Sequence, residues 1–192
     1  MTTNDQQLID RIINGDHSAF TILVDRYKDL VFSLALKMLK NREEAEEVSQ
    51  DTFIKVFKSL DKFKGDSKFS TWIYKVAYNT CLDRLKKNKR EQHVVPIDKY
   101  TEGEVKTIDN ALYAMEQKER QQTIQHCIQA LPSEDAFLMT LFYFEEQSLE
   151  EIAKIMEITP NNVKVKLFRS RKKLTSIFKS QLEPEIIAYY ES

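Results

Sequence analysis

Glycine and proline are scarce in this 192-residue chain, with three of the first and four of the second. Turn-rich β architectures draw heavily on both, so the shortage argues against a sandwich or barrel and for helices. Cysteine is nearly absent too: Cys81 and Cys127 stand far apart, each inside a helical apolar pattern. That excludes a disulfide framework and leaves buried free thiols in a reducing compartment. His17, His93 and His126 are scattered, and His126 beside Cys127 does not make a zinc site, because adjacent helical residues do not converge on one ion. There is no glycine-rich phosphate loop, no HExxH and no plausible catalytic triad. Enzyme chemistry, a metal and a cofactor are therefore not expected. No apolar run approaches the ~20 residues of a membrane span, and residues 1–10 are polar and acidic rather than a secretory signal. A cytoplasmic protein without membrane insertion is the expectation.

What is abundant is charge, at 31% of residues, beside 42% hydrophobic residues. That is enough apolar surface for helical cores with solvated outer faces. Lys and Arg total 29 against 30 Asp and Glu, giving a formal net charge of −1. The near-zero sum hides a segregation, and phosphates respond to charge within a Debye length of about 8 Å rather than to the total.

Hydrophobic spacing predicts a short helix through Leu8, Ile9, Ile12 and Ile13, ended at Asn14-Gly15-Asp16, where Gly15 suits a left-handed C-cap and Asp16 can cap the next helix. A long helix is predicted over residues 17–40. Another is predicted over 42–60, with Ala45, Val48, Phe53, Ile54, Phe57 and Leu60 as its buried face. Its first turns are acidic, through Glu43, Glu44, Glu46, Glu47 and Asp51, and favour the helix dipole. A loop centred on Lys64-Gly65-Asp66 leads to a helix over 67–92 that buries Phe69, Trp72, Ile73, Val76, Ala77, Cys81, Leu82 and Leu85. Over 93–108 the period fails and Pro96 interrupts, marking a linker. Helical spacing resumes through Leu112, Met115 and Ile124, and the last helices are predicted over 133–145, 148–156 and 160–181. The fold class is all-α, two small helical domains joined by a flexible linker. The first occupies residues 1–92, the linker 93–108 and the second domain 109–182, with a tail over 183–192.

The second domain carries the sharper motif. Ser148 and Glu151 form a capping box ahead of an amphipathic helix, Glu157-Ile158-Thr159 make a turn, and Pro160 opens the next helix behind Thr159. Ala153 is small where helices cross closely and Ile158 is apolar where the turn meets the core. These are marks of a helix-turn-helix whose second helix enters a DNA major groove. That second helix holds Lys164, Lys166, Arg169, Arg171, Lys172, Lys173 and Lys179 and no acid from Pro160 to Gln181. Such a stripe neutralises phosphates, and an Arg can grip a guanine edge with two hydrogen bonds. The plainer alternative is a solvated basic helix in an ordinary bundle.

In the first domain, Phe63, Phe69, Trp72, Tyr74 and Tyr78 interleave with Lys62, Lys64, Lys68, Lys75 and a basic run from Arg84 to Arg90. Cations beside exposed rings suit single-stranded DNA, because rings stack on unpaired bases. Core packing is the competing explanation for Phe69 and Trp72. Lys75, Tyr78 and Asn79 lie off the apolar stripe and are the better contact candidates.

Taken together, Ala45-Glu46-Glu47-Val48-Ser49-Gln50-Asp51-Thr52-Phe53, the run from Phe63 to Asn79 and the block from Leu131-Pro132 to Leu174 resemble the extracytoplasmic-function (ECF) sigma factors. The likeness extends over nearly the whole chain. It implies a non-catalytic subunit that binds core RNA polymerase, through its β and β′ subunits, and directs promoter-specific initiation. By this resemblance Glu47, Gln50 and Asp51 dock on the β′ clamp helices. Lys64, Lys68, Phe69, Tyr74, Lys75, Tyr78, Asn79 and Arg84 meet the melted −10 element, where one unpaired base is captured. Lys164, Lys166, Phe168, Arg169, Arg171 and Lys172 meet the duplex −35 element. The linker would thread toward the active-site and RNA-exit channels, and an anti-sigma factor is an expected partner. Asn161-Asn162 and Val165 depart from the family's frequent Gly-Thr and Ser, so its −35 base preference does not carry over. A stand-alone helix-turn-helix regulator, which would bind as a symmetric dimer, is the alternative.

Overall fold

A computed structural model of the chain describes residues 4–88 and 126–181. The described residues are helical apart from turns and loops. The linker 93–108, the helical pattern through Leu112, Met115 and Ile124, the tail, and Lys89 and Arg90 lie outside them.

The first unit is built from α1 (Asn4–Ile13), α2 (Ser18–Leu39), α3 (Arg42–Ser59) and α4 (Phe69–Asn88), with a 3-10 turn at Leu60–Lys62. Gly15 sits at φ +98°, so the α1–α2 turn uses a conformation that side chains with a Cβ rarely adopt. The Asp16 carboxylate accepts from Arg11 and Ser18 and also from the Ala19 N–H in the first turn of α2, as expected of a cap, while His17, in helical conformation between them, makes no side-chain cap bond. Asn41 caps α3 by accepting from the Glu44 N–H at 3.1 Å. Leu23, Val31, Leu34, Met38, Ile73, Ala77 and Cys81 fill the space between α2, α3 and α4 and are fully buried.

The predicted buried face of α3 needs correction. Ala45, Val48 and Leu60 are buried as expected and Phe53 is partly so, but Ile54 and Phe57 are 51% and 41% exposed. The inward stripe runs instead through Ala45, Val48, Ser49, Thr52 and Val56. Ser49 and Thr52 fit there because their hydroxyls donate to the carbonyls of Ala45 and Val48, 2.6 and 2.7 Å away, which removes the cost of burying them. Two short polar residues thus share the inward face of α3 with Ala45, Val48 and Val56, and Ile54 and Phe57 turn outward.

The second unit comprises a helical turn at 126–130 followed by α5 (Ser133–Tyr143), α6 (Leu149–Met156) and α7 (Pro160–Gln181). Ser148 accepts from the Glu151 N–H, and the Glu151 carboxylate accepts from the Ser148 N–H at 3.0 Å, so the capping box is complete. Thr159 accepts from the Asn162 N–H at 3.2 Å at the head of α7. Val163, Leu167, Ser170, Leu174 and Phe178 form the buried stripe of α7.

The two units lie against each other, α2 on α5 and α4 on α6, and their buried apolar residues form one continuous cluster. α4 is consequently buried on two faces. Phe69, Ile73, Ala77 and Cys81 turn into the first unit, while Tyr74 and Tyr78 turn toward the second.

Candidate nucleic-acid interface

The −10 candidates fall into four groups on the structure. Lys64 is exposed in the loop beside Gly65, whose φ of +76° again belongs to glycine. Phe69 is a correction. It is buried in a ring cluster with Tyr27, Phe63 and Trp72, its centroid 5.5 to 5.6 Å from each, and presents no surface to a base. Its place is fixed by the apolar stripe of α4, and the loop aromatic Phe63 closes over it.

The remaining residues, Arg84 apart, meet the helix-turn-helix. Lys68 pairs with Glu151 at 3.0 Å and Lys75 with Glu157 at 2.8 Å. The Tyr78 ring lies 4.9 Å from that of Phe137 on α5, and the Tyr74 hydroxyl donates to Glu145 at 3.2 Å. Tyr74 and Tyr78, expected at the surface, are therefore covered by the second unit. Burial pushes both phenols above their ordinary range. Burial likewise raises the Glu145 carboxyl, against the opposing pull of the Tyr74 hydroxyl and the Lys37 ammonium. The Lys75 ammonium, seconded by the Asn79 side chain, holds Glu157 below the usual carboxylate range. Partial burial acts to raise Glu151, yet the Ser148 N–H and Lys68 outweigh it and leave its carboxyl lowered. Arg84 points the other way, to Glu47 on α3 at 2.7 Å.

The −35 candidates divide as well. Lys164, Phe168 and Arg169 are exposed on one face of α7, and Lys172 sits 4.5 Å over the Phe168 ring. Lys166 reaches back to Glu134 at 3.0 Å. Arg171 stacks over Phe142 and Tyr143, with centroid distances of 5.4 and 5.6 Å, so its guanidinium serves the packing of α5 on α7. Val165, absent from the expected contact set, is 41% exposed three residues before Phe168, itself 39% exposed. The signal is present in the sequence: Val165 lies off the stripe of Val163, Leu167 and Leu174.

Glu47, Gln50 and Asp51 are all exposed on α3, and Ile54 and Phe57 continue that face toward its C-terminal end. Among the described residues no cluster of His, Cys, Asp or Glu could hold a metal, and no helix is long and apolar enough to cross a membrane.

Among the described residues, two helical units, one a helix-turn-helix with an acid-free outer helix, have the arrangement of a helix-turn-helix DNA-binding protein. Residues 23–91 match the Sigma-70 region 2 family and residues 121–174 the Sigma-70 region 4 family. The chain is 35% identical over 173 residues to the RNA polymerase sigma-H factor of Pseudomonas aeruginosa, covering 87% of this chain and 90% of that one. It is 36% identical over 172 residues to the ECF RNA polymerase sigma factor SigW of Bacillus subtilis, covering 86% and 92%. Among solved structures, the sigma factor RpoE in complex with the anti-sigma factor NepR from Bartonella quintana shares the fold. Its TM-score is 0.61 at 18% identity, over 85% of this chain and 98% of that one. CnrH in complex with the cytosolic domain of CnrY gives 0.58 at 18%, over 91% and 97%. The chain belongs to the ECF RNA polymerase sigma factors, transcription initiation factors that bind RNA polymerase and recognise promoters.

Proposed function

We propose that the chain directs initiation by reading two promoter elements with separate surfaces. The exposed face of α7, with Lys164, Val165, Phe168, Arg169 and Lys172, reads the −35 duplex. Lysines supply phosphate neutralisation there, Arg169 a guanine contact, and Phe168 an apolar contact with a thymine methyl. Lys64, Lys68, Lys75, Tyr78 and Asn79 bind the unpaired −10 strand, and Asn79 can both donate to and accept from an exposed base edge. Holding an unpaired base makes strand opening favourable, while the polymerase performs the chemistry. Glu47, Gln50 and Asp51 dock on a basic or polar surface of core polymerase, through β and β′. The observation that carries this reading is the acid-free outer face of α7, with Lys164, Val165, Phe168 and Arg169 exposed, on a chain of this family. An anti-sigma factor that covers the polymerase-facing surfaces is supported by one structural neighbour, the sigma factor RpoE, held in a complex with the anti-sigma factor NepR.

The test is transcription by purified core polymerase, with and without this chain, on a pool of genomic fragments. Discrete transcripts that require the chain are expected, and Asp51→Lys should abolish them together with co-elution of the chain with core. A chain that neither co-elutes with core nor adds any transcript would overturn the assignment.

A further inference from the structure

Asn161, Lys164, Val165, Phe168 and Arg169 are all exposed, and their steps of three, one, three and one put them on a single stripe of α7. Asn162 stands about 100° round the helix from Asn161, with its N–H donated to Thr159. Lys166 and Arg171 are turned elsewhere, to Glu134 and to the Phe142 and Tyr143 rings. The stripe therefore offers a major groove one amide at its N-terminal end, an apolar pair in its middle and a guanidinium beyond, with Lys164 at its edge. The N-terminal residues of a recognition helix are those that reach base edges, and Asn161 stands there. Its side chain carries an N–H donor and a carbonyl acceptor, which match the N7 acceptor and N6 donor of adenine together. Guanine presents two acceptors at that edge, so the same amide satisfies only one of them. Val165 and Phe168 are 41% and 39% exposed and lie one turn apart. Valine has no polar atom to offer a base edge, and the one apolar group that base pairs present in the major groove is the thymine methyl.

We infer that Asn161 and Val165 are specificity-determining residues of the −35 contact, Asn161 for an adenine and Val165, beside Phe168, for a second thymine methyl. This rests on the −35 reading of α7 and deepens it. Along the helix axis Val165 and Phe168 are about 4.5 Å apart, close to the ~3.4 Å between stacked pairs, so they meet neighbouring A·T pairs. From Asn161 to Arg169 the stripe runs about 12 Å, the span of three to four base-pair steps. The element read by this chain then holds an adenine at one end, thymine methyls on two adjacent pairs and the guanine of Arg169 at the other. Both positions are among those at which the chain departs from the residues frequent in its family, so the assignment belongs to this chain in particular.

The full chain is assembled with core polymerase, and a promoter recovered from its transcripts is randomised over its −35 segment. Templates that yield transcripts are sequenced for wild type, Asn161→Ala, Val165→Ser and Arg169→Ala. Asn161→Ala leaves the Thr159 cap in place and puts a good helix former in the first turn, so the fold is kept. It should lose the preference for one adenine by roughly five- to 150-fold and leave the other columns alone. Val165→Ser should relax one thymine column by roughly fourfold, the worth of one buried methyl. Uracil in place of that thymine removes the methyl and nothing else. It should cost wild type the same factor and cost Val165→Ser nothing further. A wild-type element without those adenine and thymine columns would overturn the inference. So would an adenine column untouched by Asn161→Ala, a uniform loss over all columns, or a Val165→Ser variant that still shows the full uracil effect. In each of these cases a guanine column relaxed by Arg169→Ala would leave the −35 reading of α7 standing. Columns that none of the three variants alters would mean that the −35 reading itself has failed.

Discussion

Arg169 and Arg171 stand two residues apart on one basic helix and lie in different surroundings. Arg169 is exposed on the outer face, whereas Arg171 lies over the Phe142 and Tyr143 rings. Arg169→Ala is expected to weaken promoter-duplex binding by about 1–3 kcal/mol with an unchanged melting temperature. Arg171→Ala is expected to reverse that pattern, lowering stability by about 0.5–2 kcal/mol through the lost cation–ring contact and leaving base preference alone. Paired binding and thermal-unfolding measurements check both. The sequence distinguishes neither residue by composition, since both belong to one run of bases. The distinction comes from Phe142 and Tyr143, which reach Arg171 only through the tertiary fold. The same holds for Tyr74 and Tyr78, which stand off the apolar stripe of α4 and become buried because another unit covers them. A second residue-scale expectation concerns the thiols. Burial pushes Cys81 up to about 12 and raises Cys127 as well. Cys81 is therefore neutral at pH 8, and both thiols are shut away from solvent, so neither should react with a disulfide reagent in the native chain. Both should react once the chain is unfolded, and a fast-reacting thiol in native protein would contradict the burial.

At the scale of elements, the most legible features are those written locally. The capping box of α6, Thr159 and Pro160 at the head of α7, and the Gly15 turn depend on residues within four positions of each other, and the structure realises all of them. The buried face of α3 departs from its apolar pattern because the inward stripe is set by Ser49 and Thr52, whose polarity is cancelled by bonds to their own helix. Apolar spacing alone draws the stripe through Ile54 and Phe57, which face outward on the helix that carries Gln50 and Asp51. Those two exposed side chains extend the proposed polymerase-docking face with apolar surface. The capping box makes its own prediction. Ser148→Ala removes the acceptor for the Glu151 N–H and should cost about 0.5–2 kcal/mol. It should also loosen Glu151, so hydrogen exchange in the first turn of α6 should quicken together with that in the Lys68 loop. Exchange confined to α6 would show that Lys68 does not depend on the cap.

At the scale of the whole molecule, the two units are legible in the sequence and their mutual contact is not. Each unit has its own helical periodicities, but the Lys68–Glu151 and Lys75–Glu157 pairs join residues more than eighty positions apart, and no pattern in the chain announces them. Glu151→Gln with Glu157→Gln removes both charges from that contact without touching either unit's core, so it should weaken the contact by about 0.2–1 kcal/mol for each exposed pair. Hydrogen exchange of α4 and α6 in wild type and variant checks this. Faster exchange confined to the facing turns is expected, and unchanged exchange there would mean that the Lys68–Glu151 and Lys75–Glu157 pairs hold nothing across the contact and that buried apolar packing alone joins the units.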